Sequence, residues 1–178
     1  MHICMALRQI LIEPNKVLRQ KSLVVEQVDE ELQQLMNDMV ETMYAAPGIG
    51  LAAIQVGIPK RVLVLDISRK EGLKKPMYFV NPEVIEKSKN LSTYEEGCLS
   101  VPGQFAEIER PDSCHIKYLD YHGQPKRLKA KGTLATCIQH EIDHLEGILF
   151  IDYLSKLKKT MIIKKLSKQK KAIERIVV

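Results

Sequence analysis

The segment "CIQHEIDHLEGILF", residues 137–150, sets His140, Glu141 and His144 in the pattern H-E-x-x-H among apolar residues. Side chains four apart on an α-helix lie one above the other, so two imidazoles at this spacing converge on a single point. Such a point suits a metal ion. Glu141 lies about 100° round the helix from His140. It is badly aimed as a third ligand but well placed to reach a water beside the ion. Leu134, Ile138, Leu145, Ile148 and Leu149 supply apolar surface for burying this helix. The chain must therefore fold around a packed helix whose histidines face an interior cleft.

A catalytic metal takes three protein ligands and leaves a position for water, so a third ligand must come from elsewhere. The metzincin continuation H-E-x-x-H-x-x-G-x-x-H is followed as far as Gly147, but Phe150 stands where its last histidine belongs. A thermolysin-like site needs a downstream glutamate, and beyond this helix only Glu174 in the basic tail is available. His2, His115, His122 and the cysteines Cys4, Cys98, Cys114 and Cys137 remain. Cys98 stands in the setting "YEEGCLSVPG", where the preceding glycine permits close backbone approach. A small buried hydrophobe is the alternative reading for a lone cysteine, and spacing does not decide between the two.

The cysteines show no C-x-x-C spacing, which favours reduced thiols and a reducing cytoplasm over a disulfide framework. With 178 residues, 45% hydrophobic and 28% charged, one globular domain with a real core is expected. No apolar run approaches the roughly eighteen residues of a membrane span, and the opening "MHICMALRQI" lacks a signal-peptide core. Residues 156–178 hold nine Lys/Arg against Glu174, a charge of +8, so of the net +5 the body holds −3. A mildly acidic body excludes a domain-wide nucleic-acid binder, whose basic stripe would cross the fold.

Residues 29–45 carry Leu32, Leu35, Met36, Met39, Val40, Met43 and Tyr44 at helical spacing, with Asp29 as N-cap. The methionine stripe is read as core. The following "APGIGLAAIQVGIP" reads as a loop leading to a strand at 61–67. Further strands are predicted at 77–80, 83–88, 105–109, 114–120 and 126–131, with "DYHGQP" as a turn. A second helix runs from near Gly132 to near Gly147. A third, about 154–175, carries Leu154, Leu157, Met161, Leu166 and Ile173 among lysines. Antiparallel strands between helices predict an α+β fold. The expected organisation is a catalytic domain over 1–155 with a basic helical tail, 156–178, belonging to the same domain.

"GIGLAAIQVG" at 48–57, "EGCLS" at 96–100 and "QHEIDHLEG" at 139–147, in this order and at these separations, resemble the three signature motifs of the bacterial peptide deformylases. The likeness runs from about residue 7 to residue 155. It implies a compact domain of antiparallel sheets around a central metal-binding helix, with N-terminal and C-terminal helices. It further implies that Cys98, His140 and His144 hold the metal and that Glu141 is the general acid/base. Gln55, Gly50 and Leu99 would surround the reaction, the Gln55 amide and the Leu99 backbone N–H stabilising the oxyanion. The implied substrate is the N-formyl group on the first methionine of nascent chains, in the bacterial cytoplasm. Ile49, Tyr94, Thr133, Thr136 and Cys137 would lie near the methionine pocket. Positions 133 and 136 are often aliphatic in the family, so two threonines depart from it and imply a looser methionine preference.

The resemblance implies Fe2+ as the working ion, replaceable by Zn2+, Ni2+ or Co2+, and docking of the C-terminal helix on the ribosome. The competing expectations are an H-E-x-x-H metalloprotease and a non-catalytic metal-binding, ribosome-associated module, closed by His115 or His122 as a fourth ligand. Arg110, Glu95 and Glu96 fit a role supporting the site from behind its ligands, but a surface salt bridge explains them equally, and they stay outside the catalytic set.

Overall fold

The computed structural model describes residues 6–68 and 73–176; His2 and Cys4 lie outside them. Helix α1 spans Glu30–Ala45. Asp29 caps it as its sequence position predicts, accepting a hydrogen bond from the Leu32 N–H at 2.8 Å. The periodic residues Leu32, Leu35, Met36, Met39, Val40 and Met43 are all buried, so the methionine stripe is core.

Strands β1 (Gly50–Ala52), β2 (Val62–Leu65) and β3 (Met77–Lys87) precede a ribbon of β4 (Leu91–Cys98) and β5 (Val101–Pro111). Strands β6 (Ser113–Leu119) and β7 (Pro125–Lys131) follow, then helices α2 (Thr133–Leu145) and α3 (Lys156–Ile176). The first sheet has the order β1-β2-β3-β6-β7, and the ribbon β4-β5 stands apart from it. All strand pairings within the two sheets are antiparallel, the α+β arrangement that the alternation of elements predicts.

Strand β2 is buried along its whole length because the sheet is covered on both faces. Its alternate residues Val62 and Val64 join the α1 core, while Leu63 and Leu65 join a second core with Ala135, Ile138 and Leu145 of α2. A third cluster ties Val101 and Ile108 of the ribbon to Leu149, Phe150 and Ile151 and to Leu166 of α3. Helix α2 contacts β1, β2, β5, β6 and β7, which places it between the two sheets. No helix among the described residues is long and apolar enough to cross a membrane.

Four local expectations are corrected. The Gly/Pro-rich loop holds β1 and a 3-10 turn, Ala53–Val56; its glycines mask a short strand buried against β2. The two strands predicted at 77–80 and 83–88 are one, β3, with a register shift between Val80 and Glu83. There Asn81 takes φ 50° while its side-chain amide bonds both the N–H and the carbonyl of Val25. Strand β4 escaped prediction because its inward positions Ser92 and Glu96 are polar, which removes the apolar alternation. Finally, Ile148 is 37% exposed, and on α3 Leu157 and Met161 are 71% and 62% exposed, while Ile162, Ile163 and Leu166 pack that helix on the body.

Gly147 ends the α2 segment at φ 76°, and a Cβ there would lie 2.6 Å from the carbonyl oxygen of Arg19. Both the left-handed backbone and the close approach exclude a side chain. Gly147→Ala is expected to destabilise the fold by about 2 kcal/mol or more. The melting temperature should fall by roughly 4–8 °C. An unchanged melting temperature would contradict this account of the turn.

Candidate active site

Cys98 ends β4, and His140 and His144 lie one turn apart on α2, so the site joins two elements about forty residues distant in sequence. The sulfur and ring-nitrogen atoms of the three lie within 4.8 Å of one another. Cys98 Sγ is 3.2 Å from His144 Nε2. The His140 Nδ1–H donates to Glu96 Oε2 at 2.8 Å, which fixes the tautomer and leaves Nε2 for the cluster. Phe150, the residue that breaks the metzincin pattern, stacks on the His140 ring at 6.4 Å between centroids.

Glu96 also accepts Arg110 Nε at 2.5 Å and Nη2 at 3.0 Å, both side chains being buried. Arg110 Nη1 continues to Asp143 of α2 at 2.8 Å, where the Tyr153 hydroxyl also donates. Burial alone would raise Glu96, but hydrogen bonds from His140 and Arg110 outweigh it and hold the carboxyl below its ordinary range. From the sequence, support of the site and a surface salt bridge explained Glu96 and Arg110 equally; their burial against His140 decides for support. Strand alternation was the usable signal, since Glu96 sits two residues before Cys98 and shares the inward face with Tyr94.

Burial lowers His140, but the Cys98 and Glu96 contacts raise it well above the usual imidazole value. Burial, followed by the neighbouring His140 and Arg110, drives His144 well below. Glu141 is pushed up to about 7 by burial, the largest cause, and its Oε2 has no hydrogen-bond partner. A carboxyl near neutrality with a free oxygen can both accept and return a proton. A Cβ on Gly50 would strike the Glu141 carboxylate and come within 2.7 Å of Leu65, so glycine is required for the carboxylate to sit here.

These groups open on a cleft of about 500 Å³. Gln55, Cys98, Leu99, His140, Glu141 and Gly50 line it, as do Ile49, Tyr94, Thr133, Thr136 and Cys137, while His144 lies behind the lining, 1% exposed. Every residue that the family resemblance implies for the site thus lies at this cleft or directly behind it. Gln55 is held by its own turn: Oε1 accepts the Ala52 N–H at 2.8 Å, so Nε2 points to Ser100 Oγ at 3.0 Å and Cys98 Sγ at 3.5 Å. Ser100 closes the EGCLS motif, but no role for it was read from the sequence. His115 pairs with Glu86 at 3.3 Å, and neither it nor His122 joins the cluster, which corrects the closed four-ligand alternative.

One thiol, two imidazoles, that of His140 with its tautomer fixed by Glu96, and a buried carboxylate oxygen without a partner fit a single divalent ion with an open position. Fold and site together define a metal-dependent hydrolase. The sequence profile of the polypeptide deformylases matches residues 7–160, and the chain belongs to that family. It is similar to the peptide deformylase of Pelagibacter ubique, 68% identical over 93% of this chain and 96% of that protein. The Phenylobacterium zucineum peptide deformylase is 56% identical over 94% and 99%. The crystal structure of the Ehrlichia chaffeensis peptide deformylase in complex with actinonin superposes with TM-score 0.88 at 44% identity, covering 93% of this chain and 98% of that one. The activity is removal of the N-formyl group from nascent peptides, and the metalloprotease alternative falls with the family assignment.

Glu96, held by Arg110, positions the His140 ring, so an ion on that ring would feel its charge. Glu96→Gln keeps the shape but removes the charge that orients and strengthens the imidazole, so metal affinity should fall about 10–100-fold in a chelator competition. Equal affinity in a folded variant would remove Glu96 from that role.

Proposed function

We propose that Cys98, His140 and His144 hold one divalent ion, and that Glu141, Gln55 and Leu99 carry deformylation of N-formylmethionyl peptides beside it. The supporting observation is the meeting of three donor atoms within 4.8 Å next to a buried, unpartnered carboxylate oxygen. When bound, the ion supplies Lewis acidity to the formyl carbonyl and lowers the pKa of water at the site. Glu141 takes the proton of the attacking water and delivers it to the departing amine as formate leaves. The Gln55 Nε2–H and the Leu99 backbone N–H donate to the carbonyl oxygen as negative charge develops there. Gly50 lies beside the reaction, and Ile49, Tyr94, Thr133, Thr136 and Cys137 form the pocket for the methionine side chain.

The working ion is read as ferrous iron, with zinc, nickel or cobalt able to replace it. This choice rests on the family, because one sulfur and two nitrogens suit several of these ions by softness. Free thiols at Cys98, Cys114 and Cys137 agree with a bacterial cytoplasm. Formate release from formyl-Met-Ala-Ser by the iron-loaded protein tests the activity, with the acetyl peptide as control. Glu141→Ala should abolish release, and Gln55→Ala should lower kcat about 10²–10³-fold. Metal-loaded protein that releases no formate, or a fully active Glu141→Ala, would refute the assignment.

Helix α3 is read as the segment that docks on ribosomal RNA. Lys164, Lys165 and Lys168 are exposed on it, while Leu166 anchors it to the body. Phosphate contacts by lysines make such binding salt-dependent. Lys164→Glu with Lys168→Glu should weaken ribosome sedimentation while leaving peptide turnover unchanged. Undiminished co-sedimentation would exclude this face of the helix.

A further inference from the structure

Strand β7 forms one edge of the first sheet and carries Lys126, Arg127, Lys129 and Lys131. Antiparallel register decides which of them share a face. Leu128 and Ala130 stand opposite Ile116 and Cys114 of β6 and turn towards the α2 core. Arg127, Lys129 and Lys131 stand opposite Lys117, His115 and Ser113, and so point to the other face, where all three are exposed. On that face the next strand inward, β3, supplies acids in register. Glu83 lies opposite Lys117 and bonds its ammonium at 2.8 Å, and Glu86 lies opposite His115 and meets its Nδ1 at 3.3 Å. The basic groups of β6 are thus answered from β3. Those of β7 are not: among the described residues, no ion pair or side-chain hydrogen bond involves Arg127, Lys129 or Lys131, whereas Lys126 on the opposite face lies 3.7 Å from Asp120. Charge on an edge strand keeps other chains from pairing with it, but either sign serves that purpose. Three unpaired cations in one row also create a local positive field. The mild acidity of the body does not cancel it, because the neighbouring Glu83 and Glu86 are already paired.

We infer that β7 is an interaction surface on which Arg127, Lys129 and Lys131 bind successive phosphates of an RNA backbone. Alternate residues of a strand stand about 7 Å apart along its axis, a separation comparable with that of neighbouring phosphates on one nucleic-acid strand. A row of this kind tracks the phosphodiester chain without reading its bases. Glu83 and Glu86 sit two strands in from the edge row, about 10 Å away. A flat anionic membrane pressed on this face would meet those carboxylates, whereas a narrow phosphate chain following the edge avoids them. The surface is separate from α3, which packs on the ribbon and on the turn after α2. It adds a second basic contact to the ribosome reading of α3 without depending on it. Each phosphate contact to a single strand contributes about 0.7 to the slope of log K against log salt, so three contribute about two.

The test follows the fluorescence anisotropy of a labelled oligouridylate against salt concentration, using the zinc-loaded full chain. The parent carries Lys164→Glu and Lys168→Glu, which weaken any contribution from α3. Adding Arg127→Glu, Lys129→Glu and Lys131→Glu should raise Kd about tenfold or more at low salt and reduce the salt slope by about two, with formate release unchanged. Glutamates keep the edge charged, so a lost edge protection cannot produce this change. The charge-keeping set Arg127→Lys, Lys129→Arg and Lys131→Arg should bind as the parent does. If the glutamate variant does not fold, the neutral set Arg127→Gln, Lys129→Gln and Lys131→Gln must show a fall in the same direction. Equal Kd and slope in the parent and the charge-reversed chain would overturn the proposal and leave the row as edge protection alone. A parent that fails to bind oligouridylate would overturn it too, and binding of phosphatidylglycerol vesicles in its place would assign the row to lipid headgroups.

Discussion

The site depends on how a two-stranded ribbon is fixed against a helix. Strands β4 and β5 pair only with each other, and a two-stranded ribbon has little stability of its own in water. Its position, and so that of Cys98, is set by side chains. Val101 and Ile108 pack into the cluster that follows α2, and the buried Glu96–Arg110 pair reaches across to His140 and Asp143. A buried ion pair carries a desolvation cost that its attraction offsets only when the geometry and remaining hydrogen bonds are good. Here Glu96 spends its charge on Arg110 and His140 together, and Arg110 meets two carboxylates and lies over the Tyr153 ring at 4.9 Å. The pair is best understood as a device that sets the register between ribbon and helix.

The same burial that makes these charges costly gives the site its chemistry. Glu141 is raised because water is excluded around it, and the near-neutral carboxyl that results is what a proton shuttle requires. Space for that carboxylate is made on the facing strand by Gly50, where a side chain would collide with it. Gln55 reaches the sulfur because its 3-10 turn uses the amide oxygen internally, leaving only the N–H face for the cleft. The segment at Gly50 and its following turn, the ribbon and α2 therefore meet at the cleft through backbone features, a glycine and a short turn.

Periodicity made part of this legible. The apolar stripe of α1 and the i, i+4 histidines of α2 appear in the sequence because a helix places them by arithmetic. Cys98 as the partner of the two histidines did not follow from spacing, since it reaches them through tertiary packing, and only the three motifs in register pointed to it. Glu96 and Arg110 stayed undecided between site support and a surface salt bridge, because charged residues usually face water. Strand β4 was hidden for the same reason, because the inward face that holds Glu96 is polar where a strand pattern demands apolar residues. The exposed Ile148, Leu157 and Met161 show the converse: an apolar residue at the right spacing is buried only where a partner surface exists.

The central claim is that one thiolate from the ribbon and two imidazoles from α2 hold a single ion. X-ray absorption at the zinc edge of the zinc-loaded protein tests it directly. One sulfur near about 2.3 Å and two imidazole nitrogens near about 2.0–2.1 Å are expected, with the sulfur shell lost in Cys98→Ala. A first shell of nitrogen and oxygen alone, or an unchanged spectrum in Cys98→Ala, would contradict it.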